Sequence, residues 1–393
     1  MLDWRPMRSN STVRRPAGQI AGLILAVLLL AGCRPLTPPP APSFEEVDQL
    51  LDGYRERGAF PGGVLAVGNR EALLHLHPFG RLTYEEDAPP VTADTLYDLA
   101  SLTKVVVTTT LAMILMDEGK LRLDQPVQEL LPGFQGPGKE AVTVRHLLTH
   151  SSGLPPTAPL YREIQGRQAF VERIQAMDLV DPPGSRSTYS DLGMILLGEI
   201  LERAAGQPLD AFARDRVFEP LGMRDTRFLP PPDLRARIAP TELDPWRGRL
   251  AHGEVHDENA FAMGGVAPHA GLFGTAGDLA RLARLLLNGG TLDGHRVFSA
   301  ETVDLFTRRA GIPDSDRALG WDTKSPEGSS AGTLFSPRSF GHTGFTGTSF
   351  WIDPERELFV ILLTNRVHPT RENNLIREVR PAVADAVVRA LSR

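Results

Sequence analysis

The spacing of apolar residues in the first hundred positions predicts a helix followed by two strands. Apolar residues recur at helical intervals over residues 44–57. Two short apolar runs follow at 63–67 and 72–77, and a Gly-Asn-Arg turn sequence at 68–70 separates them. Runs of this length joined by such a turn are typical of a β-hairpin.

From about residue 101 to residue 300 the apolar spacing is mainly helical. The most apolar segment runs from 101 to Glu118, where a glycine at 119 gives a C-terminal signal. Further helices are predicted at 142–150 with Thr143 as N-cap, at 191–205, and after a Thr275-x-x-Asp278 capping box. Because the segment after residue 101 is apolar nearly all round, we expect it in the middle of a domain.

Strand patterns return near the C-terminus, at 347–352 and 358–364, before a closing helix predicted from Pro381 to Leu391 with the proline in its first turn. Strands at both ends with helices between them predict an α+β fold. In this prediction the regions of about 44–100 and 300–393 share one antiparallel sheet flanked by helices. The region of about 105–300 forms a central helical subdomain.

The N-terminus predicts export and a lipid anchor. Arginines precede an apolar run at 20–30 that ends in Leu-Ala-Gly before Cys33. The run is too short to span a bilayer and fits the apolar region of a signal peptide. Leu-Ala-Gly-Cys resembles the lipobox of bacterial lipoproteins, which implies that Cys33 is lipidated and becomes the mature N-terminus. An ordinary cleaved signal with an incidental cysteine is the alternative.

The predicted domain organisation follows from this N-terminus. Residues 1–33 form a lipoprotein-type signal peptide, residues 34–43 a proline-rich tether in polyproline II conformation, and residues 44–393 the folded domain. The protein is therefore expected in the bacterial cell envelope, held to the membrane by its lipid and facing the periplasm or the exterior.

Composition and charge exclude several classes of function. The chain has a net charge of −6 and no basic run, which argues against a nucleic-acid partner. It contains 1 cysteine among 393 residues, so an intrachain disulfide framework and a cysteine-rich metal site are both excluded.

Ser101 and Lys104 form the first candidate catalytic pair. On a helix their side chains share one face, and a serine at a helix N-terminus lies where a developing negative charge is favoured. An N-capping serine beside an exposed lysine is the alternative. A serine hydroxyl needs a base, and Lys104 and Tyr189 are the candidates, although their ordinary pKa values of about 10.4 and 10 must be shifted. The two titrate as a coupled unit, so the sequence leaves open which one takes the proton.

Two further motifs complete the candidate site. One is Tyr189-Ser-Asp191, and the other is His342-Thr343-Gly344 directly before a predicted strand. Taken singly, Tyr189 is also explained as a core phenol and His342 as a hydrogen-bonded residue at a strand end. Together with Ser-x-x-Lys, in this order along the chain, the motifs are specific.

These motifs resemble those of the serine β-lactamase and penicillin-binding protein superfamily. The class C β-lactamase-like branch is most similar, with its D-alanyl-D-alanine carboxypeptidases, D-aminopeptidases, family VIII esterases and penicillin-binding protein 4B-like members. The resemblance covers about residues 44–390 and includes the segments 147–154 and 255–260. Two positions depart from the β-lactamases themselves: Asp191 replaces an asparagine, and His342 replaces a lysine.

The resemblance implies an acyl-enzyme mechanism with Ser101 as nucleophile. The backbone N–H groups of Ser101 and Phe345 are the expected oxyanion hole, and Asp191, Thr343 and Gly344 are expected to contact substrate. His342 is expected to position Tyr189 and the substrate. With an ordinary pKa near 6.5 it would be mostly neutral at pH 7 and change charge just below, which makes efficient β-lactamase activity less expected.

Two other features leave alternatives open. Arg366 follows the last strand and either meets a substrate carboxylate or is an exposed charge at the strand end. Consecutive His256, Asp257 and Glu258, with histidines nearby, fit either a metal site or a hydrogen-bonded loop at the rim of the cleft. Consecutive side chains point in different directions and the resemblance requires no metal or cofactor, so we expect the loop and no metal.

The sequence therefore predicts an envelope serine hydrolase acting on amide or ester bonds. Candidate substrates are D-amino-acid peptides of peptidoglycan, β-lactams and small esters. The alternative is a catalytically weak or inactive envelope protein that binds peptidoglycan or a protein partner. Intact Ser101, Lys104 and Tyr189 argue against that alternative, because a binding protein has no need of all three.

Overall fold

The structure, a computed structural model, describes residues 42–392, so the predictions about residues 1–41, Cys33 included, lie outside it. The α-helices are α1 Glu45–Glu56, α2 Thr110–Asp117, α3 Val127–Leu130, α4 Val144–Leu148, α5 Arg167–Ala176, α6 Asp191–Ala205, α7 Leu209–Ala213, α8 Glu219–Leu221, α9 Glu258–Ala262, α10 Ala276–Leu287, α11 Ala300–Thr307 and α12 Ile376–Leu391. The strands are β1 Gly62–Asn69, β2 Leu73–Gly80, β3 Tyr97–Asp98, β4 Arg227–Phe228, β5 Leu243–Asp244, β6 Arg249–Leu250, β7 Leu272–Gly274, β8 Thr291–Leu292, β9 His295–Arg296, β10 Asp322–Thr323, β11 Phe340–Thr343, β12 Ser349–Asp353 and β13 Leu358–Thr364.

The main sheet has six antiparallel strands drawn from both ends of the chain, in the order β10-β11-β12-β13-β1-β2. The two ends of the chain meet where β1 pairs with β13, from Gly63 opposite Thr364 to Asn69 opposite Leu358. The strands of the first and last thirds therefore form one sheet, as predicted, and the α+β prediction is confirmed.

Alternate residues of β1 belong to two different hydrophobic cores. Val64 and Ala66 pack into the larger core, with the helices of the middle third. Leu65 and Val67 pack into a second core, formed with α1 and α12. Because successive side chains of a strand point to opposite faces, both faces of the sheet are covered. Within residues 42–392, none of the helices has the length and apolar character that a membrane crossing requires.

The helix predicted after Ser101 is not α-helical throughout. Residues Lys104–Thr109 form a π-helical segment before α2 begins at Thr110. The Thr110 hydroxyl donates to the carbonyl of Val105, five residues earlier, at 2.8 Å. This side-chain hydrogen bond lies within the wider turn of the π-helix. Short π-helical segments are frequent at functional sites.

The closing helix begins earlier than predicted. It starts at Ile376, so Pro381 lies in its second turn and the prediction of a proline in the first turn is wrong. The side chain of Asn373 accepts a hydrogen bond from the Leu375 N–H at 3.0 Å, which turns the chain just before the helix begins. Burial of Val379 and Val383 in the second core offsets the hydrogen bond that Pro381 cannot donate. The earlier start brings Arg377 and Arg380 into the wall of a cleft.

Candidate active site

Ser101 follows a strained turn that a buried carboxylate holds in place. Ala100 has a φ of 47°, a left-handed conformation that is uncommon for a residue with a side chain. The carboxylate of Asp98 accepts hydrogen bonds from the Ala100 N–H at 2.8 Å and from the His256 N–H at 2.6 Å. Burial raises the pKa of Asp98. Strain of this kind concentrates at functional sites, so the turn marks Ser101 independently of the Ser-x-x-Lys motif.

Lys104 is fully buried, so the alternative of an exposed lysine is wrong. Its Nζ donates to Ser101 Oγ at 2.9 Å and to the carbonyl of His269 at 2.9 Å. It also forms an ion pair with Asp191 Oδ1 at 2.8 Å. The predicted proximity of Ser101 and Lys104 is confirmed. The expected contact of Asp191 with substrate stays a prediction.

The charge state of Lys104 follows from these contacts. Burial alone would lower its pKa, but the negative charge of Asp191, with a contribution from Tyr189, more than offsets burial and raises the pKa above the ordinary value. Lys104 is therefore a cation at neutral pH, and the hydrogen bond at 2.9 Å runs from the ammonium to the serine oxygen.

Two cations lie close to the Tyr189 ring. Lys104 Nζ is 4.9 Å and Arg317 Cζ is 4.9 Å from the ring centroid. Burial raises the pKa of the Tyr189 hydroxyl, and the charge of Lys104 opposes that rise. Ser190, the next residue, caps α6 by accepting from the Gly193 N–H at 3.2 Å, which fixes the backbone at Tyr189. Tyr189 lines the cleft with Ser101, so the core-phenol interpretation is wrong.

Two neutral imidazoles flank Tyr189. His342 lies 5.8 Å from the Tyr189 ring, and burial lowers the pKa of His342 to about 4. His150 lies 4.7 Å from the same ring, and burial holds its pKa well below the ordinary value. The expectation that His342 changes charge just below pH 7 is therefore wrong, because the ring is shielded from water.

Hydrogen bonds assign the tautomer of each ring. His342 Nδ1 lies 2.8 Å from the Thr343 carbonyl, which can only accept, so Nδ1 carries the proton and Nε2 is an acceptor. His150 Nδ1 accepts from the Ser190 N–H at 3.1 Å, so its Nε2 carries the proton. The unprotonated Nε2 of His342 and the protonated Nε2 of His150 are both buried without a hydrogen-bond partner in the described part of the chain. His150 was not a candidate from sequence, although it lies in one of the segments that carry the resemblance.

The residues after β11 are tied directly to the segment that carries Ser101. The Thr346 hydroxyl donates to the Asp98 carbonyl at 2.7 Å, and the Thr348 hydroxyl to the Leu99 carbonyl at 3.1 Å. At Gly344 an added Cβ would come within 2.6 Å of the Leu99 carbonyl, so only glycine permits this approach. Phe345 and Ser101 therefore face the same cleft, as the predicted oxyanion hole requires.

Two arginines fix the backbone around Phe345. Arg366 Nε donates to the Phe345 carbonyl at 2.8 Å, and Arg380 donates to the Gly344 and Thr348 carbonyls at 2.7 and 2.9 Å. Arg366 is 6% exposed, so the alternative of an exposed charge at the strand end is wrong. Burial lowers the pKa of Arg380 to about 9. No sequence pattern pointed to Arg380, because its position depends on where α12 begins.

The cleft has a volume of about 370 Å³ and a cationic lining. Thr343 and Gly344 lie in its wall beside the catalytic candidates. Its charged residues are one carboxylate, Asp322, and the arginines at 317, 366, 371, 377 and 380. Arg317 pairs with Asp322, and Arg371 pairs with Glu242 and Glu258. The other three arginines leave the lining of the cleft with a net positive charge.

The consecutive residues His256, Asp257 and Glu258 turn to three separate partners. His256 Nε2 lies 2.9 Å from Glu242, Asp257 lies 3.1 Å from His269 Nε2, and Glu258 pairs with Arg371 at 2.8 Å. The His256 ring also stacks against Phe345, with centroids 5.7 Å apart. The structure therefore shows the hydrogen-bonded loop at the rim of the cleft, and these three side chains do not converge on one point.

The fold and the cleft together define a β-lactamase-like domain with a serine, a lysine and a tyrosine at its centre. Residues 47–384 match the protein family described as Beta-lactamase, and the chain belongs to this family. The predicted superfamily and fold class are thereby confirmed.

Proteins of similar sequence place the chain among hydrolases of the β-lactamase and carboxypeptidase type. A protein of Escherichia coli K12 named "Putative D-alanyl-D-alanine carboxypeptidase" is 39% identical over 319 residues, which cover 72% of each chain. A Bacillus subtilis protein named N-acetylmuramyl-L-alanine amidase is 33% identical over 360 residues, covering 82% of this chain and 81% of its own.

Solved structures show the same fold. A penicillin-binding protein homologue from Caulobacter crescentus superposes with a TM-score of 0.71 at 26% identity, covering 88% of this chain and 97% of its own. EstCE1, a hydrolase with promiscuous acyltransferase activity, has a TM-score of 0.71 at 22% identity and covers 87% of this chain and 97% of its own.

Proposed function

We propose that this protein is a serine hydrolase that acts through an acyl-enzyme on Ser101. The observation that carries the proposal is the 2.9 Å contact of Lys104 Nζ with Ser101 Oγ, in a cleft that Tyr189 and His342 also line. Ser101 attacks the substrate carbonyl, and its proton passes to the Lys104–Tyr189 pair. The leaving group departs with a proton from this pair, and water then hydrolyses the ester, which releases an acid and restores the serine.

The protein's own groups stabilise the intermediate. The N–H groups of Ser101 and Phe345 donate to the oxyanion, and the Lys104 ammonium stabilises the developing alkoxide. The pKa values of Lys104 and Tyr189 are both raised in the free protein, so both groups hold their protons at neutral pH. The pair can take the serine proton only after it has lost one of these two protons, and that is the reactive form. His342 packs beside the Tyr189 ring, with the ring centroids 5.8 Å apart, and holds the phenol in place without carrying charge.

Peptides with a free C-terminal carboxylate, such as the D-amino-acid peptides of peptidoglycan, are the substrates that we propose. The cationic cleft supports this choice, and so does the name of the relative from Escherichia coli. A β-lactam is a less suitable substrate, because a neutral His342 stands where the β-lactamases have a lysine cation.

The envelope location that Cys33 predicts agrees with such a substrate. We propose that the protein is lipid-anchored, so that the cleft meets peptidoglycan outside the cytoplasmic membrane. The alternative of a non-catalytic envelope protein predicts that none of the groups around Ser101 reacts.

The test uses purified protein and two serine-directed reagents, a fluorescent penicillin and a fluorophosphonate, with Ser101→Ala as control. Labelling of wild type but not of the variant supports the acyl-enzyme. Labelling by fluorophosphonate alone supports a hydrolase that rejects β-lactams, and labelling by neither contradicts the proposal.

Substrate choice is tested with a peptide ending in D-Ala-D-Ala and the same peptide with its C-terminus amidated. We expect the protein to release D-alanine from the free acid with a kcat/KM roughly tenfold or more above that for release of D-alaninamide from the amidated peptide. The reason is that an unscreened charge pair in a partly buried site is worth about 1–2 kcal/mol. Equal rates would contradict the role of the cationic lining.

A further inference from the structure

Two histidines and an aspartate converge at the edge of the sheet that is far from the cleft. His75 and His77 lie two positions apart on the edge strand β2, so their side chains share a face. They lie opposite Val67 and Leu65 of β1, on the face against which α1 packs. Asp48, in the first turn of α1, points at both rings.

The donor atoms of these residues are spaced as metal ligands are. Asp48 Oδ1 is 2.8 Å from His75 Nε2, and Asp48 Oδ2 is 3.6 Å from His77 Nδ1. One donor atom from each residue lies within 4.8 Å of the others, and within residues 42–392 this is the one group of three or more such side chains that does so. Ligands of a tetrahedral zinc ion with bonds of about 2.0–2.1 Å are about 3.3 Å apart, so the spacing needs little adjustment.

Aromatic stacking holds both imidazoles in place. The Phe44 ring stacks on His75 at 4.7 Å, the His75 and His77 rings are 5.7 Å apart with 11° between their planes, and Phe79 stacks on His77 at 5.8 Å. His77 Nε2 is buried and has no hydrogen-bond partner in the described part of the chain. His77 Nε2 therefore lacks the kind of partner that Glu242 provides for His256 Nε2.

We propose that Asp48, His75 and His77 bind a divalent transition metal, with zinc as the expected ion and water completing its coordination. Two imidazoles and one carboxylate suit zinc, whereas calcium and magnesium take oxygen ligands. Because the ligands come from α1 and from the edge strand, the metal ties the first helix of the domain to the sheet.

The proposed metal site is independent of the hydrolase site. His342 lies on β11, four strands from β2 in the sheet, which corresponds to about 19 Å at about 4.8 Å per strand. Zinc is therefore expected to change the stability of the protein and to leave its hydrolytic rate unchanged. Failure of one proposal does not affect the other.

The experiment measures zinc binding to the full protein after treatment with a chelator. Calorimetric titration is expected to show one zinc per chain with a dissociation constant in the micromolar range or below, and zinc is expected to raise the melting temperature by a few degrees. His77→Asn and Asp48→Asn should each weaken binding tenfold or more. His295→Asn, at an exposed histidine on β9, is the control and should bind zinc as wild type does.

A second measurement needs no variant. Diethyl pyrocarbonate modifies accessible histidines, and peptide mapping of the wild-type protein identifies which ones react. Zinc is expected to protect His75 and His77 and to leave His295 reactive. No zinc binding up to about 100 µM, unchanged binding in His77→Asn, or equal modification of His75 and His77 with and without zinc would each overturn the proposal.

Discussion

At the scale of single residues, Asp191 sets the ionisation of the site. It stands where the similar β-lactamases have asparagine, and its carboxylate is 2.8 Å from Lys104 Nζ. An asparagine there would leave burial as the dominant influence on the lysine, whereas the carboxylate keeps Lys104 protonated. The reactive form, with one proton removed from the Lys104–Tyr189 pair, is therefore scarce at neutral pH.

Asp191→Asn is expected to move the rise of kcat/KM with pH to lower pH. The Asp191 carboxylate raises the pKa of Lys104, so removing the carboxylate lowers the pKa of Lys104. The deprotonated form of the pair then appears at a pH about one to three units lower. His342 does not contribute to the profile above about pH 5, because its pKa lies near 4. The measurement is kcat/KM from about pH 6 to 10 in both proteins.

Asp87→Asn serves as the control for this comparison, because Asp87 is exposed and the change alters the net charge of the protein by the same amount. Identical profiles for wild type and Asp191→Asn would show that Asp191 does not govern the reactive proton.

At the scale of secondary-structure elements, the segment 344–348, which carries the proposed oxyanion donor of Phe345, depends on α12. Arg380 reaches from this helix to the carbonyls of Gly344 and Thr348, on either side of Phe345 and its neighbours. The guanidinium touches no reacting atom in the proposed mechanism, so Arg380 is a positioning residue. Its effect is on the direction of the Phe345 N–H.

Arg380→Met is expected to lower kcat by about ten- to a hundredfold with little change in KM, because a misaligned oxyanion donor weakens the transition state more than the bound substrate. Arg380→Lys should restore part of the rate by keeping one donor. Arg389→Met, at an exposed arginine on the same helix, should behave as wild type. A raised KM at unchanged kcat would instead identify Arg380 as a substrate contact.

Periodic patterns made much of the fold predictable. The β1–β2 hairpin, β13 and α6 lie close to their predicted positions, because local apolar spacing and turn residues determine them. The motifs around Ser101, Tyr189 and His342 likewise identified residues that the fold brings into one cleft. The π-helical turn at Lys104 and the start of α12 were not predictable, because both depend on single side-chain hydrogen bonds that apolar spacing does not reveal. These are the bond of the Thr110 hydroxyl to the Val105 carbonyl and that of the Leu375 N–H to the Asn373 side chain.

The electrostatics of the site depend on contacts that the sequence does not contain. The lowered pKa of His342 and the raised pKa of Lys104 follow from burial and from Asp191, which only the folded chain brings together. The same holds for the Asp48, His75 and His77 cluster. Its one local signal is the His-x-His spacing on an expected strand, and Asp48 joins it only through helix packing.

At the scale of the whole molecule, the predicted anchor decides where the cleft operates. Cys33→Ser is expected to release the protein from membrane fractions or leave it as uncleaved precursor, since the lipid-bearing thiol is lost. Fractionation and intact mass of the N-terminus measure this, with Ser43→Ala in the predicted tether as the control. An unchanged membrane fraction without fatty-acid mass would contradict the lipid anchor.

Because β1 pairs with β13, residues from both ends of the chain come together to form the site. Asp98 and Leu99 accept hydrogen bonds from Thr346 and Thr348, and Arg380 completes the wall from the last helix. A nascent chain that lacks its C-terminal strands therefore holds Ser101 without the residues around Phe345. Hydrolytic activity should appear only after the C-terminal strands have docked, which delays the proposed activity until synthesis of the chain is complete.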